Sequence, residues 1–297
     1  MKLPVLSVLM PVHQGEKYLK EAIISILKQS FTNFELIILD NQSTDKTKNI
    51  VKFFSNKDRR VRYILDSQKR NGLDAHSEII KFARGKYLTI VSDDNVMSTF
   101  FFERLIETIK KNKSYDWVVS NGYYFNENKV KKKQIFKKNC YFYGEPNVYK
   151  ILNFLIKRDN VSLVLSAMTT VSKFKTELLP HVNLSESEKD ADVIIGIKIL
   201  ANFKIGYVNE NLFFFRSYSG QERFEDQKYK KFTSNFLAYF FHLKNYLFFS
   251  FLAIKNSKLM IYQKTILTIF FPIFLLVYFC KKKIIQLLIL LKYKFKI

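Results

Sequence analysis

Three acidic groups in this 297-residue chain could do chemistry together. Asp93 and Asp94 are adjacent and follow the apolar run Tyr87 to Val91 and the hydroxyl of Ser92. Two neighbouring carboxylates repel each other, and a cation between them and a phosphate relieves that repulsion. All-oxygen donors suit Mg2+ or Mn2+, which bind through one or two carboxylates, substrate phosphates and water. Asp40 closes a second apolar run, Phe34 to Leu39. A carboxylate there can accept a hydrogen bond from a base or a ribose. A third cluster, Glu186, Glu188, Asp190 and Asp192, surrounds the start of an apolar helical stretch near Ala191. Acids at that point also suit a helix amino terminus on electrostatic grounds alone. Taken singly, each group has an ordinary use as a cap or turn residue. Two phosphate-binding signatures are missing. Gly15 stands alone in its turn, without the glycine spacing of a dinucleotide site, and no P-loop pattern occurs.

The elements that must carry these groups follow from the hydrophobic pattern. Leu6 to Met10, closed by Pro11, reads as a central parallel strand. Leu19, Ala22, Ile23, Ile26 and Leu27 recur at helical spacing. Phe34 to Leu39 is a second buried strand, and Ser43-Thr44-Asp45 supplies cap residues for a helix through Phe54. Val61 to Leu65 and Tyr87 to Val91 predict further strands, with a helix over Ala75 to Ala83 between them. Phe101 to Ile109 predicts a helix, Trp117 to Ser120 a strand, Val161 to Val171 another strand and Ala191 to Ala201 a helix. Lys204 to Val208 and Leu212 to Phe215 read as two short strands leading to Arg216, and the basic stretch Lys129 to Lys138 as a surface loop. Strands alternating with helices imply a mostly parallel, Rossmann-like α/β sheet. Such sheets bind ligands at the carboxyl ends of their strands, where Asp40 and Asp93-Asp94 fall.

Composition narrows the function classes. Lys and Arg number 49 against 26 acids, a net charge of +23. The two cysteines, Cys140 and Cys280, are too far apart in sequence for a disulfide scaffold or a cysteine-based zinc site, and suit a reducing compartment. The amino terminus has no cleavage-site pattern of a secretory signal. From Lys228 to Ile297 there is no acidic residue. This tail holds the apolar run Thr265 to Cys280, then three lysines, then Ile284 to Leu291. The first run is shorter than the roughly 20 residues of a spanning helix. A helix lying in the interface of an anionic membrane, with lysines at the headgroups, fits the pattern. The division expected is a catalytic domain over residues 1–225 and a helical, basic and apolar extension over 226–297. Nucleic acid is not the expected partner, because the basic excess is concentrated in this apolar tail.

Taken together, these segments resemble family 2 glycosyltransferases of the GT-A fold, from about Leu6 to Gly220. The carriers are Ser7-Val8-Leu9-Met10-Pro11-Val12-His13, Phe34 through Asp45, Ala83-Arg84-Gly85-Lys86-Tyr87-Leu88 with Ser92-Asp93-Asp94, and Lys189-Asp190 leading to Leu212-Phe213-Phe214-Phe215-Arg216. The resemblance implies that Pro11, His13 and Glu16 line a nucleotide pocket and that Asp40 contacts the base, usually uracil. It implies that Asp94, with Mn2+ or Mg2+, holds the donor diphosphate and that Asp190 is the catalytic base. Ser92 occupies the first position of the family's D-x-D, so Ser92 or Asp93 must cover the ribose and metal contact there. Lys189 replaces the Glu that usually precedes the catalytic Asp, and Tyr218 is nearest to where a His often follows the late Arg.

The function implied is inverting transfer of a sugar from a nucleotide-diphosphate donor, a UDP-sugar by the resemblance, to a hydroxyl of a glycan or lipid-linked oligosaccharide. The setting implied is bacterial surface polysaccharide synthesis at the cytoplasmic face of the inner membrane. Two alternatives stand beside it: a polyprenyl-phosphate glycosyltransferase, and a protein that binds sugar nucleotides without turnover.

Overall fold

A computed structural model describes residues 3–70, 72–126, 131–135, 144–146, 150–151, 166–178, 188–217, 259–261, 264, 265 and 267. The first half alternates strand and helix: β1 (Leu6–Val12), α1 (Leu19–Leu27), β2 (Phe34–Asp40), α2 (Thr47–Lys57), β3 (Val61–Leu65), α3 (Gly72–Ile79) and β4 (Tyr87–Ile90). The second half comprises β5 (Val96–Met97), α4 (Phe101–Lys111), β6 (Trp117–Phe125), β7 (Lys131–Gln134), β8 (Ala167–Thr170), the short α5 (Val171–Lys173), α6 (Glu188–Asn202) and β9 (Ile205–Arg216). Among the described residues these strands form one sheet in the order β3-β2-β1-β4-β8-β6-β9-β5, with β7 added to β6.

The strands β1 to β4 are parallel, with Val12 opposite Asp40, Asp40 opposite Leu65 and Leu9 opposite Ile90. This register brings the carboxyl ends of β1, β2 and β4 to one edge. Every residue of β2 is buried, as are all but Pro11 in β1, which is why both read as nearly unbroken apolar runs. β1 runs through Pro11 to Val12 rather than stopping at the proline. The carbonyl of Leu9 accepts from Val91 on the β4 side. Pro11, two residues on, faces that same side past the end of β4, so its missing N–H costs no ladder bond.

The other half departs from the expected parallel pattern. β8 is antiparallel to both β4 and β6, β5 is antiparallel to β9, and only β6 with β9 is parallel. β9 is one strand, not two. Asn209 and Glu210 stand exposed where the register against β6 jumps from Val208 to Asn211, so the polar pair marks a bulge. Part of the lysine-rich stretch read as a loop is β7, paired antiparallel with the end of β6. The helix expected over Ala75 to Ala83 begins earlier, at Gly72, and tightens into a single turn of 3₁₀ helix over Ile80–Phe82. Of the strand expected over Val161 to Val171, Ala167–Thr170 is strand, Val171 opens α5, and 161–165 lie outside the described residues.

Aromatic packing ties the helices of the second half to its strands, and Phe34 of β2 meets Phe102 of α4 edge-on at 5.4 Å. Trp117 stacks on Phe203 with ring centroids 5.7 Å apart and planes 4° from parallel, and Phe101 packs on Phe213 at 5.4 Å. Two residues of the acid-free tail, Leu259 and Leu267, are buried in this same core, while Met260 and Ile261 are exposed. An open cavity of about 360 Å³ lies there, lined by Asp116, Glu145, Pro146, Asn202, Lys204, Leu259 and Met260. Its place is at the amino ends of β6 and β9, the edge opposite the acidic turn. Among the described residues no helix is long and apolar enough to cross a membrane. The apolar runs from Phe270 onward lie outside the described residues.

A buried charge locks the first strands to the segment entering β4. Glu35, 3% exposed, accepts from the Ser7 hydroxyl at 2.8 Å, the Arg62 guanidinium at 2.6 Å and the Arg84 backbone and side chain at 2.9 Å each. Burial pushes its carboxyl up, but those bonds outweigh burial and hold it below the usual range. A depressed acid stabilises the fold above its unfolded pKa, and that contribution is lost as pH falls through the folded value. Glu35→Gln should therefore cost about 2–4 kcal/mol at neutral pH, since it leaves two guanidinium groups without their carboxylate. The difference from wild type should shrink in denaturant melts below about pH 4. Equal stability of the two proteins at pH 7 would show the network to be inert.

Candidate active site

The loops after β1 and β2 are built as one piece. Gln14 adopts a left-handed backbone (φ 57°), as does Gln42 (φ 59°), a conformation uncommon away from glycine. The Gln14 N–H donates to Ser43 Oγ at 3.0 Å, and its side-chain amide donates to Thr44 Oγ1 at 2.9 Å. Its carbonyl oxygen accepts from the Thr44 and Asp45 N–H groups. Gly15 N–H donates to Thr47 Oγ1 at 2.8 Å, and Glu16 N–H to Asp45 Oδ2 at 3.0 Å. Burial raises the Asp45 carboxyl, but bonds from the Thr47 hydroxyl and from the Glu16 and Thr47 N–H groups outweigh it and keep it below the usual range. Glu16 itself accepts from Lys46 N–H at 2.9 Å, just before α2, so its carboxylate caps that helix. Of the pocket residues expected from the sequence, Pro11 is half-buried in β1, while His13 and Glu16 are exposed on this loop.

Asp40 is placed at the same edge but is fully buried. One carboxylate oxygen accepts from Ser43 N–H at 2.9 Å and the other from the Tyr63 hydroxyl at 2.9 Å. Burial, and then the Asp40 carboxylate, push the Tyr63 phenol well above its ordinary range. Next to it, Asn41 and Arg70 exchange two hydrogen bonds of 2.8 Å, and Arg70 pairs with Asp66 at 2.8 Å and Glu78 at 3.2 Å. A base can reach Asp40 only after this cover shifts.

The acidic turn after β4 faces the first loop. The Ser92 hydroxyl donates to Asp94 Oδ1 at 2.6 Å and lies 3.4 Å from Asp93 Oδ1. Burial, with the Asp94 charge second, pushes the Asp93 carboxyl up to about 7. Asp94 is also raised by burial, against which the Ser92 bond and the Arg216 charge act. A β-carbon added to Gly15 would lie 2.6 Å from Asp93 Oδ2 and 2.6 Å from Val12 Cγ2. The lone glycine of the first turn is thus the residue that lets the acidic turn close on the first loop. Gly15→Ala should displace Asp93 at a cost of about 1–3 kcal/mol, the range for overpacking. The melting temperature should fall by several degrees; an unaltered melting temperature would show that the two loops give way without strain.

The donor set fits a hard divalent cation: two carboxylates, both raised by burial, and one hydroxyl share a single turn. No group of three or more His, Cys, Asp or Glu side chains forms among the described residues, so phosphate oxygens and water would complete such a shell. Asp190 is the third residue of α6; its side chain lies outside the described residues. Tyr63, which bonds to Asp40, carried no signal in the sequence. Ser92 was expected on the nucleotide side and is a donor to Asp94, and Arg216, expected only as the late Arg of the resemblance, reaches the acidic turn.

Comparison with known proteins agrees with this fold. The family described as glycosyl transferase family 2 matches residues 7–177. The chain is 29% identical over 225 residues to glycosyltransferase GlyG of Streptococcus pneumoniae serotype 4, covering 73% of this chain and 72% of that one. It is 32% identical over 127 residues to a GalNAc(5)-diNAcBac-PP-undecaprenol beta-1,3-glucosyltransferase of Campylobacter jejuni, covering 40% of this chain and 38% of that one. The structure of S. aureus TarS (residues 1-349) in complex with UDP-GlcNAc has a TM-score of 0.64 and 18% identity, covering 89% of this chain and 70% of that one. The shared architecture is the GT-A fold. Because the family match takes in the carboxyl ends of β1, β2 and β4, across more than half of the chain, this protein belongs to glycosyltransferase family 2.

Proposed function

We propose that this glycosyltransferase moves a sugar from a UDP-sugar, with inversion, to a hydroxyl of a lipid-linked glycan during surface-polysaccharide assembly. The observation that carries the reading is the interlocked edge where the Gln14 loop, the Asp40 turn and the Ser92-Asp93-Asp94 turn meet. A uracil-type base is supported by the TarS neighbour, which holds UDP-GlcNAc, and a lipid-linked acceptor by the Campylobacter relative, named for an undecaprenol-linked substrate.

The roles of the residues follow from their chemistry. The Gln14 loop and the turn after β2 form the wall that receives the nucleotide. Asp94, oriented by the Ser92 hydroxyl, holds Mn2+ or Mg2+ against the donor diphosphate, with Asp93 beside it. Bound there, the ion supplies positive charge for the departing diphosphate. Asp190, at the start of α6, takes the proton from the acceptor hydroxyl as that oxygen attacks the anomeric carbon. The lysine-rich, acid-free tail seats the enzyme on an anionic membrane surface at the cytoplasmic face.

A thermal-shift screen of UDP, GDP and CDP with and without Mn2+ tests the donor side. UDP with Mn2+ should give the largest rise, and hydrolysis of a UDP-sugar should require the metal. Stabilisation by UDP without any hydrolysis or transfer would leave a binding protein instead.

A further inference from the structure

We infer that Arg216 is a positioning residue that holds Asp94 in its metal-facing geometry from behind. The inference deepens the proposed function and rests on the metal role assigned there to Asp94. Arg216 ends β9 and its side chain is only 3% exposed. A guanidinium so deeply buried is costly unless it is paired and hydrogen-bonded, and here every face of it is engaged. Its Nε donates to the Asp94 carbonyl oxygen at 2.9 Å, and its NH2 group donates to Glu21 Oε2 at 2.6 Å. Its guanidinium carbon lies over two rings, 4.3 Å from the Tyr18 centroid and 4.6 Å from that of Phe125. Its backbone N–H donates to Asn95 Oδ1 at 3.0 Å. One residue thus grips two consecutive residues of the acidic turn, Asp94 through its carbonyl and Asn95 through its side chain.

The other half of the grip is on α1. Tyr18 and Glu21 flank the start of that helix, directly after the loop whose Gly15 abuts Asp93. Arg216 therefore ties the acidic turn to the nucleotide loop through a single planar group. Ser92 fixes the Asp94 carboxylate from the front, at 2.6 Å, while Arg216 fixes its main chain from the rear. An apolar side chain could fill the space between Tyr18 and Phe125 without a charge. What it could not do is donate in two directions at a fixed angle. Lysine keeps the charge but lacks the planar fork, so it cannot serve the Asp94 carbonyl and Glu21 in the same geometry.

The test compares wild type, Arg216→Lys and the milder Glu21→Gln in the full-length protein. Mn2+ affinity in the presence of UDP is read by electron paramagnetic resonance of the free ion. UDP affinity is read in EDTA, and kcat and KM are measured as Mn2+ is varied. Arg216→Lys should weaken Mn2+ binding about tenfold or more, leave metal-free UDP affinity unchanged, and regain much of its kcat at high Mn2+. Glu21→Gln should move Mn2+ affinity in the same direction by a smaller factor, and it decides the matter if the lysine variant does not fold. A lowered melting temperature with unchanged Mn2+ affinity would make Arg216 a packing residue and overturn the inference. Loss of UDP affinity in EDTA would make it a donor contact and also overturn it. If wild type itself binds no Mn2+ with UDP, the metal assignment fails and this inference fails with it; unchanged affinity in the variants alone sinks only the role of Arg216.

Discussion

Asp94→Asn should lower metal-dependent turnover by at least about 10²-fold while the protein stays folded. The scale is that of removing one group that stabilises charge developing in a transition state. An amide keeps the shape of the side chain and can still accept from the Ser92 hydroxyl, which now lies 2.6 Å from Oδ1. What it loses is the negative charge that a divalent ion requires. The same change removes the closest repelling charge on Asp93, whose carboxyl is pushed up to about 7 by burial and by Asp94. A raised acid stabilises the metal-free fold below its unfolded pKa and loses that contribution as pH climbs to the folded value. Without the Asp94 charge the Asp93 carboxyl moves back toward its ordinary range. The melting temperature of the metal-free variant should then vary less than that of wild type between about pH 4 and pH 7. Turnover with Mn2+ equal to wild type would remove Asp94 from the chemistry. A pH profile of melting unchanged by the substitution would mean that the two acids do not feel each other.

Asp190→Asn is expected to reduce kcat by about 10²–10⁴-fold, the usual contribution of a general base, with donor affinity preserved. Asp190 is the third residue of α6, a helix whose later turns, Ile197 to Ala201, are buried in the core. Its main chain is therefore tied to a firm support, and exchanging a carboxylate for an amide in the first turn removes little helix stability. UDP-sugar binding by calorimetry together with transfer at saturating donor separates the cases. A collapse of donor affinity with normal kcat at saturation would assign Asp190 to helix capping rather than proton transfer.

The parts of the fold legible in the sequence were those whose environment is uniform. β1, β2 and β4 are buried, so their runs are continuous, and Asp40 and Asp93-Asp94 could be placed at one sheet edge even though β1 runs on through the proline read as its end. Legibility fell where environment changes within an element. β9 contains the exposed Asn209 and Glu210 at a bulge and read as two strands. β7 lies in a run of lysines whose composition signals solvent. The antiparallel pairing of β8 depends on partners far away in the chain, which periodicity does not report. The site shows the same division. Positions fixed by strand ends were readable, but their working surroundings were not. The full burial of Asp40 comes from Tyr63 and Ser43. The closeness of Gly15 to Asp93 comes from how two loops meet. Arg216 breaks the expectation that a lone arginine faces water, because its cost is met by partners from α1 and the acidic turn that no local window contains.

β9 also sets a height. One end of it is Arg216, against the acidic turn; the other adjoins Lys204, beside the cavity where Leu259 and Met260 are packed. At roughly 3.3 Å per residue its 12 residues span up to about 40 Å, and about 35 Å once twist and bulge are allowed for. Under the proposed docking through the tail, with the exposed Met260 and Ile261 turned toward the lipid and β9 along the membrane normal, the transfer site would stand up to about one strand length above the surface. A phosphate at headgroup level would be out of reach at that elevation, whereas the far end of a multi-sugar stem would not. The scaffold would then act as a gauge of acceptor length, favouring chains already extended by earlier transferases over the bare lipid carrier.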